Sequence, residues 1–172
     1  MTTATPNPAL STSRRVRRIA IGLLSGAAVA TGLLMAPAAS NATTSYQTQV
    51  INLINQQRTA HGCGKLTYNA NLAAAAQGHS ADMAKYNYFS HTGHNGSSPD
   101  ARIRAAGYKP KLWGENIAAG YSTPSSVVNA WMNSSGHRAN ILNCKFHETG
   151  VGYATSSSST YHYYWTQDFG TR

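Results

Sequence analysis

Apolar side chains recur every three to four residues in one stretch of the first half of the chain, and alanines accumulate in the next. Val50, Leu53 and Ile54 have this spacing within residues 46–59, which predicts a helix with one buried stripe. Asn69 is a suitable N-cap for a second helix that ends near residue 85 and is rich in alanine, a strong helix former. Its small side chains are expected to let this helix pack close to a neighbour.

After residue 86 the pattern alternates between short helical and extended segments separated by polar turns. A loop is predicted over 86–98, followed by a short helix over 101–106 that Pro99-Asp100 opens and Gly107 ends, and by an extended segment over 113–119. A further helix is predicted to start at Pro124 and to bury Val127, Val128, Trp131 and Met132. One or two helical turns over 137–142 and strands over 149–155 and 160–169 complete the predicted elements. Helices followed by an antiparallel pair of strands predict an α+β layered domain.

The first 42 residues have the composition of a targeting segment. A cluster of four arginines (14, 15, 17 and 18) precedes an apolar run over 19–35 and a small-residue stretch over 36–42. These are the three parts of a secretory signal, with cleavage preferred after Ala42 and Ala38 as the second site. A retained membrane anchor is the alternative, although the apolar run has only the minimum length for a span. Arg14-Arg15 leaves the twin-arginine export route open.

Residues 43–172 are expected to form one domain that is large enough to bury about two-thirds of its unfolded surface. The two cysteines of the chain, Cys63 and Cys144, both fall in this part. An even pair in an oxidising compartment predicts one disulfide, and a catalytic cysteine would leave the second one unexplained. We therefore expect a secreted, extracellular domain without a permanent membrane anchor.

The net charge of the whole chain is +9, and it falls to +5 for residues 43–172. The basic residues of this part are scattered along the sequence, whereas a nucleic-acid-binding domain shows a dense stripe. Nucleic acid is therefore excluded as the expected partner. Mild attraction to anionic cell surfaces or wall polymers is compatible with the charge, but plain solubility is the favoured interpretation.

Several catalytic motifs are absent, among them the G-x-S-x-G elbow, the P-loop and the glycine-rich dinucleotide turn. His147-Glu148 begins an H-E-x-x-H pattern, but Val151 stands in place of the second histidine. Glu115 lies among apolar residues, where a carboxylate either fixes a turn or acts in a site. His91 and His137 fall in a loop and at a helix start, and a neutral imidazole at a helix start suits ligation or proton transfer.

Five short motifs follow one another in a fixed order. They are Tyr88-Phe89-Ser90-His91, Gly114-Glu115-Asn116-Ile117-Ala118, Ala130-Trp131-Met132-Asn133-Ser134, Gly136-His137-Arg138-Ala139-Asn140-Ile141-Leu142 and Glu148-Thr149-Gly150-Val151-Gly152. Together they resemble the CAP superfamily (the SCP domain of cysteine-rich secretory proteins, antigen 5 and pathogenesis-related proteins) in its secreted bacterial form. The resemblance covers residues 46–169. It implies a three-layer α-β-α sandwich with a central, mainly antiparallel sheet.

The resemblance also implies an open cleft that holds two histidines and two glutamates. The motifs place the histidines at His91 and His137 and the first glutamate at Glu115. Animal and plant members have the second glutamate three residues after the helix tryptophan, where this chain has Ser134. Glu148 is the candidate to supply the missing carboxylate. His91, His137 and Glu115 could together hold zinc, with water in the fourth position.

Three functions are compatible with these residues. The first hypothesis is a monomeric, non-enzymatic binding module whose cleft recognises a small lipid or cell-surface ligand, with or without zinc. The alternative is a metal-assisted hydrolase of peptide or cell-wall material, in which Glu115 activates water held by His91 and His137. A structural domain whose polar cleft only fixes loops is the third hypothesis. The family resemblance alone does not decide among them.

Overall fold

A computed structural model describes residues 45–172 of the chain. The elements are α1 (Tyr46–Ala60), β1 (Thr67–Tyr68), α2 (Ala70–Tyr86), α3 (Pro99–Ala105), β2 (Leu112–Ala119), α4 (Pro124–Asn133), α5 (Ser135–Ile141), β3 (Glu148–Thr155) and β4 (Tyr163–Thr171). The predicted signal segment and its cleavage sites lie outside the described residues. Within residues 45–172, no helix is long and apolar enough to cross a membrane.

The helices begin where the sequence places capping residues. The Asn69 side chain accepts hydrogen bonds from the first turn of α2, as predicted. Thr123 and Ser126 form a reciprocal capping box at the start of α4. Thr123 directly precedes Pro124, which opens the helix, and Ser126 lies in the first turn. Ser98 accepts from Ala101 at the start of α3. Local side-chain chemistry therefore accounts for these helix starts.

The four strands form one sheet in the order β1-β3-β4-β2. The β3–β4 and β4–β2 pairs are antiparallel, whereas the two-residue β1 is parallel to β3. Strand β4 starts at Tyr163 and not at residue 160, because His162 has a left-handed backbone (φ 60°) that belongs to the preceding turn. Strand β2 lies at the edge of the sheet, which leaves its outer side open to loops and to α5.

Helices cover both faces of this sheet, which confirms the three-layer sandwich. One face carries α1, α4 and α5 over a core that includes Ile54, Trp131 and Trp165. The other face carries α2 and α3, with Met83 and Leu72 in its core clusters. Side chains alternate between the two faces along each strand, so consecutive residues of β2 reach different cores.

The alanine-rich helix α2 packs directly on the backbone of β3. A Cβ atom added to Gly150 would lie 1.9 Å from the Ala73 nitrogen, and one added to Gly152 would lie 2.3 Å from the Ala76 carbonyl carbon. Two glycines on the strand and small residues on the helix make this approach possible. The predicted close packing of the second helix is confirmed, and its neighbour is β3.

A disulfide joins Cys63 to Cys144, as predicted. It links the segment after α1 to the segment after α5. The buried Arg58 stabilises the same junction, because its guanidinium donates to the carbonyl oxygens of Gly64, Ile141, Asn143 and Phe146 at 2.7–3.0 Å. Burial lowers the pKa of Arg58. The covalent link and these hydrogen bonds together hold the C-terminal end of α5 against α1.

Candidate functional site

Glu115 lies at the centre of the candidate site, on the edge strand β2. Its carboxylate is buried, and both of its oxygens have partners. His91 Nδ1 lies 2.6 Å from Oε1, and Arg102 Nη2 donates to Oε2 at 2.6 Å. His91 itself is half exposed, with 52% of its side chain accessible. The geometry therefore combines an inaccessible carboxylate with an imidazole that solvent reaches.

Arg102 of α3 also holds the loop that carries His91. Its Nη1 donates to the carbonyl oxygens of His91 and Ser97, both at 2.9 Å. One guanidinium thus joins the two ends of loop 91–97 to the carboxylate of Glu115. Because the guanidinium is planar and its donors are fixed, these three contacts determine where His91 lies relative to β2.

His137 reaches the site from α5 through an asparagine pair. Asn116 of β2 donates to the His137 carbonyl oxygen at 3.2 Å, and Asn140 donates to the Asn116 side chain at 2.9 Å and to the Glu115 carbonyl oxygen at 3.3 Å. Burial and, to a lesser degree, the nearby His91 lower the pKa of His137. This shift favours the neutral imidazole of His137, which is the form that accepts a hydrogen bond or ligates a metal.

A cavity of about 280 Å³ adjoins His137 along the edge of β2. Most of its lining is apolar or aromatic, and its polar members are Ser134 and His137. The lining residues are Phe89, Ile117, Ala118, Ala119, Tyr121, Ala130, Trp131, Ser134, His137 and Tyr161. Ser134, which stands in the place of the family's second glutamate, thus lines the cavity with a small uncharged side chain.

Two buried titratable residues lie beside Glu115, on the face of the sheet that α2 covers. Asp168 pairs with Glu115 across β4 and β2, and among the described residues neither of its carboxyl oxygens has a hydrogen-bond partner of good geometry. Burial, and next the charge of Glu115, raise the pKa of Asp168 well above its ordinary value. His79 of α2 is also buried. Its Nε2 lies 2.9 Å from the Ser90 carbonyl oxygen, and its Nδ1 has no hydrogen-bond partner in the part of the chain that the structure describes.

Glu148 lies apart from this group. Its carboxylate accepts hydrogen bonds from Asn69, Tyr108 and Arg172 at the start of β3. These contacts, above all those of Arg172, lower the pKa of Glu148 to about 2. The structure therefore does not bring Glu148 to His91 and His137, and the conjecture that it replaces the second glutamate of the cleft has no support in this geometry.

The donor set fits a metal only in part. Within residues 45–172, no group of three or more His, Cys, Asp or Glu side chains has the arrangement of a metal site. Glu115 uses both oxygens on His91 and Arg102, so the two imidazoles are the available ligands. Glu115 could then act as the carboxylate that orients a ligating histidine. Zinc held by His91 and His137 stays a prediction.

Three residues of the site were missed in the sequence. Arg102 was one of the scattered basic residues, and Asp168 was part of a strand pattern. His79 lies fully buried beneath the site. Its spacing from Ala75, Ala76 and Met83 places it on the buried stripe of α2. That spacing was the available signal, whereas nothing local marks Arg102 as the partner of Glu115.

The chain is similar to proteins of one family over most of its described length. The model of the CAP family, described as the cysteine-rich secretory protein family, matches residues 51–169. Protein YkwD of Bacillus subtilis is 41% identical over 131 residues, which are 76% of this chain and 49% of YkwD. The membrane protein YlbC of the same organism is 36% identical over 73% of this chain and 34% of its own length. The chain thus spans at most about half of these curated relatives.

Solved structures show the same fold. An extracellular protein with an SCP domain from Bacillus anthracis matches with a TM-score of 0.66 and 34% identity, over 74% of this chain and 40% of that chain. An outer surface protein of Borrelia burgdorferi matches with a TM-score of 0.65 and 23% identity, over 72% of this chain and 90% of that chain. The motifs, the sandwich and the family match agree, and the chain belongs to the CAP (cysteine-rich secretory protein) family.

Proposed function

We propose that the protein is a secreted binding module whose cleft takes a small amphipathic ligand. The observation that carries this proposal is the position of the cavity. It opens beside the neutral imidazole of His137 and is otherwise lined mainly by apolar and aromatic groups. Small-ligand sites commonly have this composition, with a few polar groups that orient the ligand. An apolar tail in the cavity would leave its polar head facing His137 and His91.

The rim of the cavity supports the proposal. Phe89, Tyr121 and Tyr161 are 46%, 38% and 45% exposed, which is high for large rings in a folded domain. Phe89 and Tyr161 meet edge to face, with ring centroids 6.0 Å apart. A ligand seated between these rings would remove apolar surface from water. The volume of about 280 Å³ lies just below the usual range for small-ligand sites, which start at about 300 Å³, so it suits a single medium-length acyl chain.

The site offers less support for hydrolysis. Within residues 45–172, no serine, threonine or cysteine side chain is hydrogen-bonded to a histidine ring, and both cysteines are in the disulfide. Glu115, the group that would activate water, already has both oxygens occupied. These contacts favour binding over catalysis.

An extracellular location is part of the proposal. The Cys63–Cys144 disulfide is typical of proteins that work in an oxidising compartment. The N-terminal arginines, apolar run and small residues have the order of a secretory signal. The similar protein from Bacillus anthracis is described as extracellular.

Binding of dodecanoate, measured by calorimetry, tests the proposed function. We expect the double variant Phe89→Ala/Tyr161→Ala to bind at least about tenfold more weakly, since lost ring contacts of about 1.4 kcal/mol correspond to that factor. The matched control is Tyr68→Ala, which removes a ring that is 58% exposed outside the cavity. His137→Ala should weaken binding less than the double variant.

Two results would contradict the proposal. Equal loss of binding in Tyr68→Ala and in the cavity variant would show that dodecanoate binds exposed rings without selection. Turnover of peptides or wall fragments by the unaltered protein, abolished in His137→Ala, would establish the metal-assisted hydrolase instead.

A further inference from the structure

The acidic residues of this protein leave its exposed lysines without counter-charges. All five acids lie in the described part of the chain, and each is either buried or held by a partner. Glu115 and Asp168 are buried, Glu148 and Asp100 form ion pairs with Arg172 and Arg104, and Asp82 accepts hydrogen bonds from Tyr88 and His94. Within residues 45–172, the exposed side chains of Lys65, Lys109, Lys111 and Lys145 form no ion pair.

These four lysines, which we call the lysine row, lie at one end of the sheet. Strands β1, β3 and β2 run in one direction and β4 runs in the other, so three strand starts and the end of β4 share an edge. Lys65 precedes β1, Lys145 precedes β3, and Lys109 and Lys111 precede β2. The residues lie far apart in sequence, and the register of the strands brings them together.

Backbone contacts support this placement. Lys111 N–H donates to the Thr171 carbonyl oxygen at 2.8 Å, and the Thr171 hydroxyl donates to the Lys145 carbonyl oxygen at 2.5 Å. Thr67, two residues after Lys65, donates to the His147 carbonyl oxygen at 2.9 Å. The three strand starts are thus joined through the end of β4 and the lead-in to β3.

The order of the strands places the backbone positions of three of these lysines in a line. Lys65, Lys145 and Lys111 follow one another across the sheet end, with the ion pair of Arg172 and Glu148 between the last two. Three strand spacings of about 4.8 Å make this line about 14 Å long. The half-exposed Trp113 stands beside Lys111 on β2. A line of single charges complements an extended chain better than a flat surface.

We propose that the lysine row binds a linear polyanion that carries a phosphate on each repeat, as an extracellular wall polymer does. Lysine is a compact point charge that binds phosphate, and the one arginine of this edge is committed to Glu148. Single-stranded nucleic acid binding needs a series of neighbouring stacking rings, whereas the exposed rings Trp113 and Tyr68 lie on strands at opposite edges of the sheet. The row is separate from the cleft and would anchor the module whatever the cleft holds.

The test is binding of a short linear polyphosphate to the purified protein at several NaCl concentrations. Trp113 fluorescence reports binding, since Trp131 and Trp165 are buried. We expect Lys111→Gln/Lys145→Gln to bind at least about tenfold more weakly at low salt. For this double variant, the slope of log K against log [NaCl] should be less steep by about 1.4, since each lost phosphate contact removes about 0.7. Lys85→Gln/Arg138→Gln removes the same charge elsewhere and should bind nearly as the unaltered protein does.

Three results would overturn the proposal. One is the absence of polyphosphate binding at low salt, and another is an equal loss in the control pair, which would make net charge the cause. The third is tighter binding to phosphatidylglycerol vesicles than to polyphosphate, with the same loss in Lys111→Gln/Lys145→Gln, which would assign the row to a membrane surface. Equal thermal midpoints of all variants show that none of these changes comes from unfolding.

Discussion

Replacing Cys63 and Cys144 together with alanine removes the covalent link between the segment after α1 and the segment after α5. The two cysteines are 81 residues apart in sequence. For a closed loop of that size, the chain-entropy relation gives a stabilisation of about 4.5 kcal/mol. The native junction should survive, because the four hydrogen bonds of Arg58 to carbonyl oxygens do not depend on the disulfide. The loss should therefore come mainly from the greater freedom of the unfolded chain.

Urea unfolding of the oxidised protein and of the double variant measures this loss. We expect a decrease of about 4.5 kcal/mol in the free energy of unfolding and of about 15 °C in Tm. The m-value should be larger, because the uncrosslinked chain exposes more surface when it is unfolded. Reductant should produce the same change in the unaltered protein and none in the variant. A loss below about 1 kcal/mol would refute the reasoning, and so would a native state in which amides around α5 lose their protection from exchange.

Four further predictions concern the site. Arg102→Met leaves the buried Glu115 without its guanidinium partner and should lower the free energy of unfolding by about 3 kcal/mol. Urea unfolding measures this loss, and a value below about 1 kcal/mol would show that the ion pair is dispensable. Burial raises the pKa of Asp168, so the native state keeps a proton that the unfolded chain releases above about pH 4, and stability falls as pH rises from there. Asp168→Asn should therefore have a higher Tm than the unaltered protein at pH 7 and lose that advantage near pH 4. Burial lowers the pKa of His79 and of His137. As the pH falls below about 6.5, the unfolded chain therefore binds protons at these residues more readily than the native state does, and the native state loses stability. Tm measured from pH 8 to pH 5 should decline less in His79→Gln than in the unaltered protein. Calorimetric titration with Zn²⁺ should show one site that His137→Ala removes, and identical heats for both proteins would exclude zinc ligation by His137.

Much of the fold was predictable because its signals are local. Periodic apolar residues identified α1, alanine content and the cap Asn69 identified α2, and Pro124 marked the start of α4. Strand β1 was not predicted, since two residues have no detectable pattern and pair only with the distant β3. The start of β4 was placed too early, because the turn before it contains polar and aromatic residues that also suit a strand.

The candidate site was predictable only as far as its motifs extend. Resemblance to the CAP family placed His91, Glu115 and His137, and the structure brings Glu115 and His91 into direct contact. The partners of Glu115 required tertiary structure, since Arg102 comes from α3 and Asp168 from β4. The ion pair, the buried carboxyl and the neutral imidazole all depend on which groups share a dry environment.

Composition and short-range pattern indicated the main helices, a disulfide and an export signal, which stays a prediction, and the resemblance of five ordered motifs indicated the family. These features depend on residues close together in sequence, on the parity of the cysteines or on motifs in a fixed order. The tertiary structure decided that Glu148 accepts hydrogen bonds at the start of β3, that Glu115 has both oxygens occupied, and that lysines distant in sequence precede strands starting at one end of the sheet. The physical reason is that strand register and burial bring together residues from distant parts of the chain. The interaction between two charged groups then depends on their separation in space and not on their separation in sequence.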